Sequence, residues 1–66
     1  MNGDTPRIVC DPKIQLGKPM IRGTRVLAGD VADRVWIGLS VEKVAGEFKI
    51  TTEDVLAALD YVRGMA

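Results

Sequence analysis

The sequence contains no histidine and a single cysteine, Cys10. Without histidine there is no ready general base near neutral pH, and one thiol cannot form an intrachain disulfide. A zinc site is excluded for the same reason, and no cofactor is expected. The carboxylates fall at expected helix starts, where capping accounts for them, so no catalytic group is assigned. Aromatic residues are also scarce: Trp36, Phe48 and Tyr61 are one each. The core therefore has to be aliphatic. Cys10, between Val9 and Asp11, is expected as a small half-buried residue on a strand. No apolar run reaches membrane-spanning length, and "MNGDTPR" lacks the apolar stretch of a signal peptide. The expected location is cytoplasmic.

What the chain does have is apolar content of 47%, far above that of a disordered segment. Its 66 residues allow one domain, 1–66, and a chain so short gains stability from a partner. Net charge is zero, yet the charges are segregated. Residues 1–29 carry Arg7, Lys13, Lys18, Arg22 and Arg25 against Asp4 and Asp11. Residues 30–66 carry seven anions against Arg34, Lys43, Lys49 and Arg63. A basic front joined to an acidic back favours complementary partners over uniform attraction to polyanions.

The order of elements follows from periodicity and turn residues. "RIVCD", Arg7 to Asp11, reads as a strand closed by Asp11-Pro12. A second short strand is expected near Met20 to Arg22, between Pro19 and Gly23. From Leu27 the apolar spacing becomes helical, with Leu27, Val31, Val35 and Leu39 flanked by Ala28 and Ala32. This predicts a helix from about Leu27 to Ile37, closed by Gly38 in a left-handed conformation under Leu39. Ser40 caps a second helix carrying Val41, Val44, Ala45 and Phe48. Thr51 or Thr52 caps a third, carrying Val55, Ala58, Leu59 and Val62 and fraying at Gly64. The fold class is thus mainly α with a small N-terminal β element: a β/loop arm at about 7–26, then a three-helix core at about 27–64.

Two short helices joined by a tight turn pose the helix-turn-helix question. Val44, Ala45, Phe48, Ile50, Val55 and Ala58 supply the apolar and small residues at suitable spacings, while Lys49 holds the turn position that suits glycine. The chemistry of the last helix is wrong for reading DNA. Its outer face, Glu53, Leu56, Ala57 and Asp60 with Thr51 and Thr52 at its start, lacks Arg, Lys, Asn and Gln. Such a face suits a protein partner.

"RIVCDP", "GKPMIRGTRV", "GLSVEKVAGEF" and "ITTEDVLAALDYV" together resemble the bacterial "domain of unknown function 433" family, over Arg7 to Val62. Leu27 stands where that pattern often has proline, and "EFKIT" lacks the proline common before the last helix. The resemblance implies a homeodomain-like helix-turn-helix core and an antitoxin of a type II toxin–antitoxin pair. Its implied partners are a PIN-like ribonuclease toxin and operator DNA for autorepression. The alternative is a dimeric protein-interaction module without DNA binding.

"GKPMIRGTRV" is not a nucleotide-binding P-loop, because Lys18 comes early and no Gly-Lys-Ser/Thr closes it. Three uses remain open. In the first it is a structural or subunit-pairing hairpin, with Gly17 and Gly23 at positive φ and Arg22 or Arg25 paired to acids of the domain's own helices. In the others, Lys18, Arg22, Thr24 and Arg25 hold nucleic acid or a small anion beside the first helix N-terminus. A homodimer through an open strand edge is expected as well.

Overall fold

The computed structural model describes residues 7–65. The segment Met1–Pro6, with Asp4 of the charge count, and Ala66 lie outside the described residues. The fold is mainly helical, with a two-stranded antiparallel sheet at the N-terminal side. Its elements are β1 (Ile8–Val9), β2 (Met20–Ile21), α1 (Ala28–Trp36), α2 (Val41–Phe48) and α3 (Thr52–Met65).

The arm is held more tightly than its turn-rich sequence indicates. Ile8 pairs with Ile21 and Val9 with Met20. The Arg22 N–H extends the ladder to the Arg7 carbonyl at 2.7 Å. The first strand is shorter than the expected Arg7–Asp11, because the chain already turns at Asp11. There the Asp11 carbonyl accepts from the Ile14 N–H, and its carboxylate accepts from the Lys13 N–H. Cys10 consequently lies just beyond β1 and is exposed, not half-buried on a strand. Gly17 and Gly23 take positive φ of 80° and 81°, as their turns require.

β2 leads directly into the helices. Met20 forms a bridge with Leu27, and the Ile21 N–H donates to the Val26 carbonyl at 2.8 Å. That bridge keeps Leu27 extended (φ −79°, ψ 135°), so Leu27 is the N-cap of α1 and not its first residue. The Ala28 N–H, which a helix start leaves unpaired, donates to the Pro19 carbonyl at 3.0 Å.

Each helix boundary has a local cause. Gly38, at φ 114°, ends α1 with paired bonds: its own N–H to the Val35 carbonyl, and the Leu39 N–H to the Arg34 carbonyl. This pattern satisfies carbonyls that the last turn leaves open. Ser40 caps α2 by accepting from the Lys43 N–H at 3.1 Å. Lys49 then adopts the left-handed conformation (φ 59°, ψ 44°), and the Ile50 N–H reaches back to the Ala45 carbonyl at 2.9 Å. The cap of α3 is Thr51. Its hydroxyl accepts from the Asp54 N–H, and the Asp54 carboxylate accepts from the Thr51 N–H, a reciprocal capping box. Gly64 does not fray the end, since α3 continues through it to Met65. Helical glycine costs about 1 kcal/mol relative to alanine.

The buried helix residues all belong to the expected stripes, whose other members, such as Leu27, Val35, Phe48 and Leu59, are half-buried. Val31, Val44, Val55, Ala28, Ala45 and Ala58 meet at the centre with Ile21 from the arm, and Met20 and Ala32 are buried too. Four of these are alanines, which lets the helix axes approach closely. No polar side chain is buried among the described residues, so the interior carries no hydrogen-bond requirement of its own. None of the helices is long and apolar enough to cross a membrane.

Candidate functional site

Two surfaces were expected from the residues, and the fold presents both without merging them. On the arm, Lys18, Arg22 and Arg25 are exposed. The turn Ile21–Thr24 displays Arg22: the Thr24 N–H donates to the Ile21 carbonyl at 3.0 Å, with Gly23 at the positive-φ position. Thr24 is occupied in holding this turn. Its hydroxyl donates to the Ile21 carbonyl at 2.8 Å and accepts from the Val26 N–H at 3.0 Å. Lys18 lines a shallow groove with Pro19, Leu27, Gly29, Asp30 and Asp33 at the start of α1.

The expected pairing of Arg22 or Arg25 with the domain's own helices does not occur among the described residues. Arg7 takes that role, its Nη1 donating to Asp54 Oδ1 at 2.8 Å. Burial pulls the Asp54 carboxyl upward. The hydrogen bonds from the Thr51 backbone, the Arg7 guanidinium and the Thr51 side chain outweigh it and hold the pKa below its ordinary value. Asp54 thus joins the arm to α3 while capping that helix. About two turns further along α3, Cys10 Sγ lies 3.9 Å from the Tyr61 hydroxyl. This contact first, then the repulsion a thiolate would exert on the phenolate, raises the Tyr61 pKa above 10.0. β1 therefore runs beside α3 from the Asp54 end to the Tyr61 end.

The outer face of α3 has the composition expected of it. Glu53, Leu56 and Asp60 are exposed and Ala57 is half-buried. Leu56, Ala57, Leu59, Asp60 and Arg63 line an open groove along the helix. Asp60 and Arg63 put one carboxylate and one guanidinium beside its apolar floor, and Glu53 lies one turn before it on the same helix. No described hydrogen bond or ion pair joins these carboxylates to Lys18, Arg22 or Arg25.

Of four large exposed apolar side chains, Leu56 is on the expected α3 face and the other three follow from no expectation. Trp36 and Ile37 are 61% and 73% exposed at the end of α1. They follow Val35, the last α1 residue of the buried stripe, and each further residue turns 100° away from it. Two apolar residues directly after a completed stripe were the signal available. Leu16, exposed to 91% in the arm loop, is the third.

The family model described as "Protein of unknown function (DUF433)" matches residues 8–62, from β1 to the last apolar turn of α3. The chain belongs to the DUF433 family. A solved structure that shares this fold is the crystal structure of Rv2018 from Mycobacterium tuberculosis, with a TM-score of 0.71 and 29% sequence identity. The match covers 79% of the DUF433 chain and 24% of Rv2018, so the domain spans about a quarter of that longer protein. No curated protein matches the chain significantly.

Proposed function

We propose that this DUF433 chain is a cytoplasmic, dimeric antitoxin of a type II toxin–antitoxin pair. In this reading it binds a PIN-like ribonuclease toxin through its exposed apolar surface and touches operator DNA through Lys18, Arg22 and Arg25. The observation that carries the protein-binding part is the exposure of Trp36 and Ile37, adjacent large apolar residues outside a completed core. Contiguous exposed apolar residues of this kind mark association surfaces.

The DNA part rests on the arm and not on α3. Glu53 and Asp60 would face phosphates with like charge, whereas Lys18, Arg22 and Arg25 are exposed and form no described ion pair. The same acidic face favours the second reading, a protein-interaction module that binds no DNA.

Both readings meet one experiment. The chain is co-expressed with the tagged product of the neighbouring reading frame, expected to be a PIN-like nuclease, and its own upstream DNA is used in gel shifts. Capture of the chain and inhibition of the nuclease, both lost on Trp36→Ser with Ile37→Ser, are the expected results. Arg22→Ala with Arg25→Ala should weaken the gel shift and lower the salt slope by about 2, for two lost phosphate contacts. Capture without any shift selects the second reading. Failure of capture refutes the antitoxin assignment.

A further inference from the structure

Leu16 is displayed by a backbone that resists it. Gln15, Leu16 and Gly17 have φ of 54°, 58° and 80°, three successive left-handed residues of which only one is glycine. In that conformation a Cβ crowds the following carbonyl oxygen. Surrounding bonds nevertheless fix the loop. The Gly17 N–H donates to the Ile14 carbonyl, the Lys18 N–H to the Gln15 carbonyl, and Gln15 Nε2 to the Arg25 carbonyl at 3.3 Å. The outcome is a braced tip that holds a leucine almost wholly in solvent, 91% exposed. No other large apolar side chain of the described arm is exposed. A contiguous apolar patch marks a protein-binding surface, whereas a lone apolar side chain on a stiff support has the form of a wedge.

The charge around the tip selects what the wedge enters. Residues 7–26 carry five cations and one carboxylate, Asp11, and that carboxylate already accepts from the Lys13 N–H. Arg7 is paired with Asp54, and Lys18 lines a groove with Asp30 and Asp33, which temper its charge. The other three, Lys13, Arg22 and Arg25, are exposed and form no described ion pair. Lys13 precedes Leu16 in the same loop, the Gln15 bond ties the Arg25 main chain to that loop, and Arg22 directly follows β2. The arm thus combines cations with one rigid apolar tip. Duplex DNA accepts that combination. Its phosphates receive the cations, and an apolar side chain inserted from the minor groove unstacks a base step and kinks the duplex. A wedge that folded aside would lose the step, and one fixed in advance loses little entropy on insertion. The bracing that strains Gln15 and Leu16 supplies that stiffness.

We infer that Leu16 is a wedge that enters the minor groove of duplex DNA and parts one base step, with Lys13, Arg22 and Arg25 on the flanking phosphates. This rests on the DNA part of the proposed function and is independent of the nuclease.

Gel shifts of the full chain on circularly permuted fragments of its own upstream DNA test it. The expected result is a shifted band whose mobility depends on the position of the site, corresponding to a kink of roughly 20–90°. Leu16→Asn removes the wedge but suits left-handed backbone, so it should keep or raise the melting temperature while losing the kink. Its salt slope should match the wild type, because leucine neutralises no phosphate, whereas Arg22→Ala with Arg25→Ala lowers the slope. Leu16→Met, which keeps an apolar wedge, should keep the kink. A shift without a kink, or a kink that survives in Leu16→Asn, overturns the wedge and leaves DNA binding standing. A Leu16→Asn protein that melts below the wild type makes the leucine structural and also overturns it. Loss of nuclease capture in Leu16→Asn with the kink intact reassigns the tip to a protein partner. Upstream DNA that the wild type fails to shift overturns both the wedge and the DNA reading.

Discussion

Replacing Lys49 with glycine should stabilise the protein. Lys49 links α2 to α3 in left-handed backbone, with an exposed side chain that takes part in no described hydrogen bond or ion pair. The turn works through the main chain, where the Ile50 N–H donates to the Ala45 carbonyl at 2.9 Å, and glycine preserves that bond. Removing the Cβ relieves roughly 1–2 kcal/mol of steric cost. Glycine in turn adds freedom to the unfolded chain, which offsets roughly 0.4–1 kcal/mol. The net gain is about 0.7 kcal/mol. For a chain of this size that raises the melting temperature by about 5 °C, since unfolding entropy is roughly 2.1 cal/mol/K per residue. Paired thermal and urea unfolding at one protein concentration measures it, with the urea slope unchanged. A Lys49→Gly protein that melts below the wild type would show that the lysine side chain, and not the backbone, stabilises the turn.

Acid should act through Asp54, whose folded pKa is depressed from 3.8. A depressed carboxylate contributes stability that is present above its unfolded pKa and lost as pH falls through its folded value. Urea midpoints should therefore fall as pH drops below about 3.8, and Asp54→Asn should flatten that part of the profile while lowering stability at pH 7. A wild-type profile matched by the variant's would remove Asp54 from the account. Tyr61 is the only tyrosine, so phenolate absorbance titrates one group. Its midpoint should lie above 10.0 and move down in Cys10→Ala, because the Cys10 contact is the leading cause of the shift. No movement would show that the two side chains do not meet in solution.

Helix positions were legible wherever the cause was local. The four-residue spacing of Leu27, Val31 and Val35, the Gly38 stop and the Ser40 cap each act within one or two turns, and each recurs in the fold. The choice between Thr51 and Thr52 was legible in the capping-box spacing, because Asp54 stands three residues after Thr51 whereas Val55 stands three after Thr52. The Arg7–Asp54 pair joins residues 47 apart in sequence, and no spacing rule selects Arg7 over Arg22 or Arg25. Leu16 was hidden for another reason. Turn chemistry assigns left-handed backbone to Gly17, and nothing in the residue types extends it to Gln15 and Leu16. The composition of the α3 face was readable from helical periodicity alone, whereas its open groove depends on how the neighbouring elements leave Leu59 half-covered.

Met20 and Ile21 have a consequence for how the molecule comes apart. Both are wholly buried, and Ile21 is packed among Val31, Val44 and Val55 from all three helices. The arm is therefore a plug in the interior and not an ornament on a finished helical domain. Three helices without it would lose the Ile21 side chain from their shared core, and losing a large buried side chain costs several kcal/mol. Total stability for a domain of this length is of the same order. Arm and helices accordingly form a single cooperative unit, and peeling back β2 opens the whole protein.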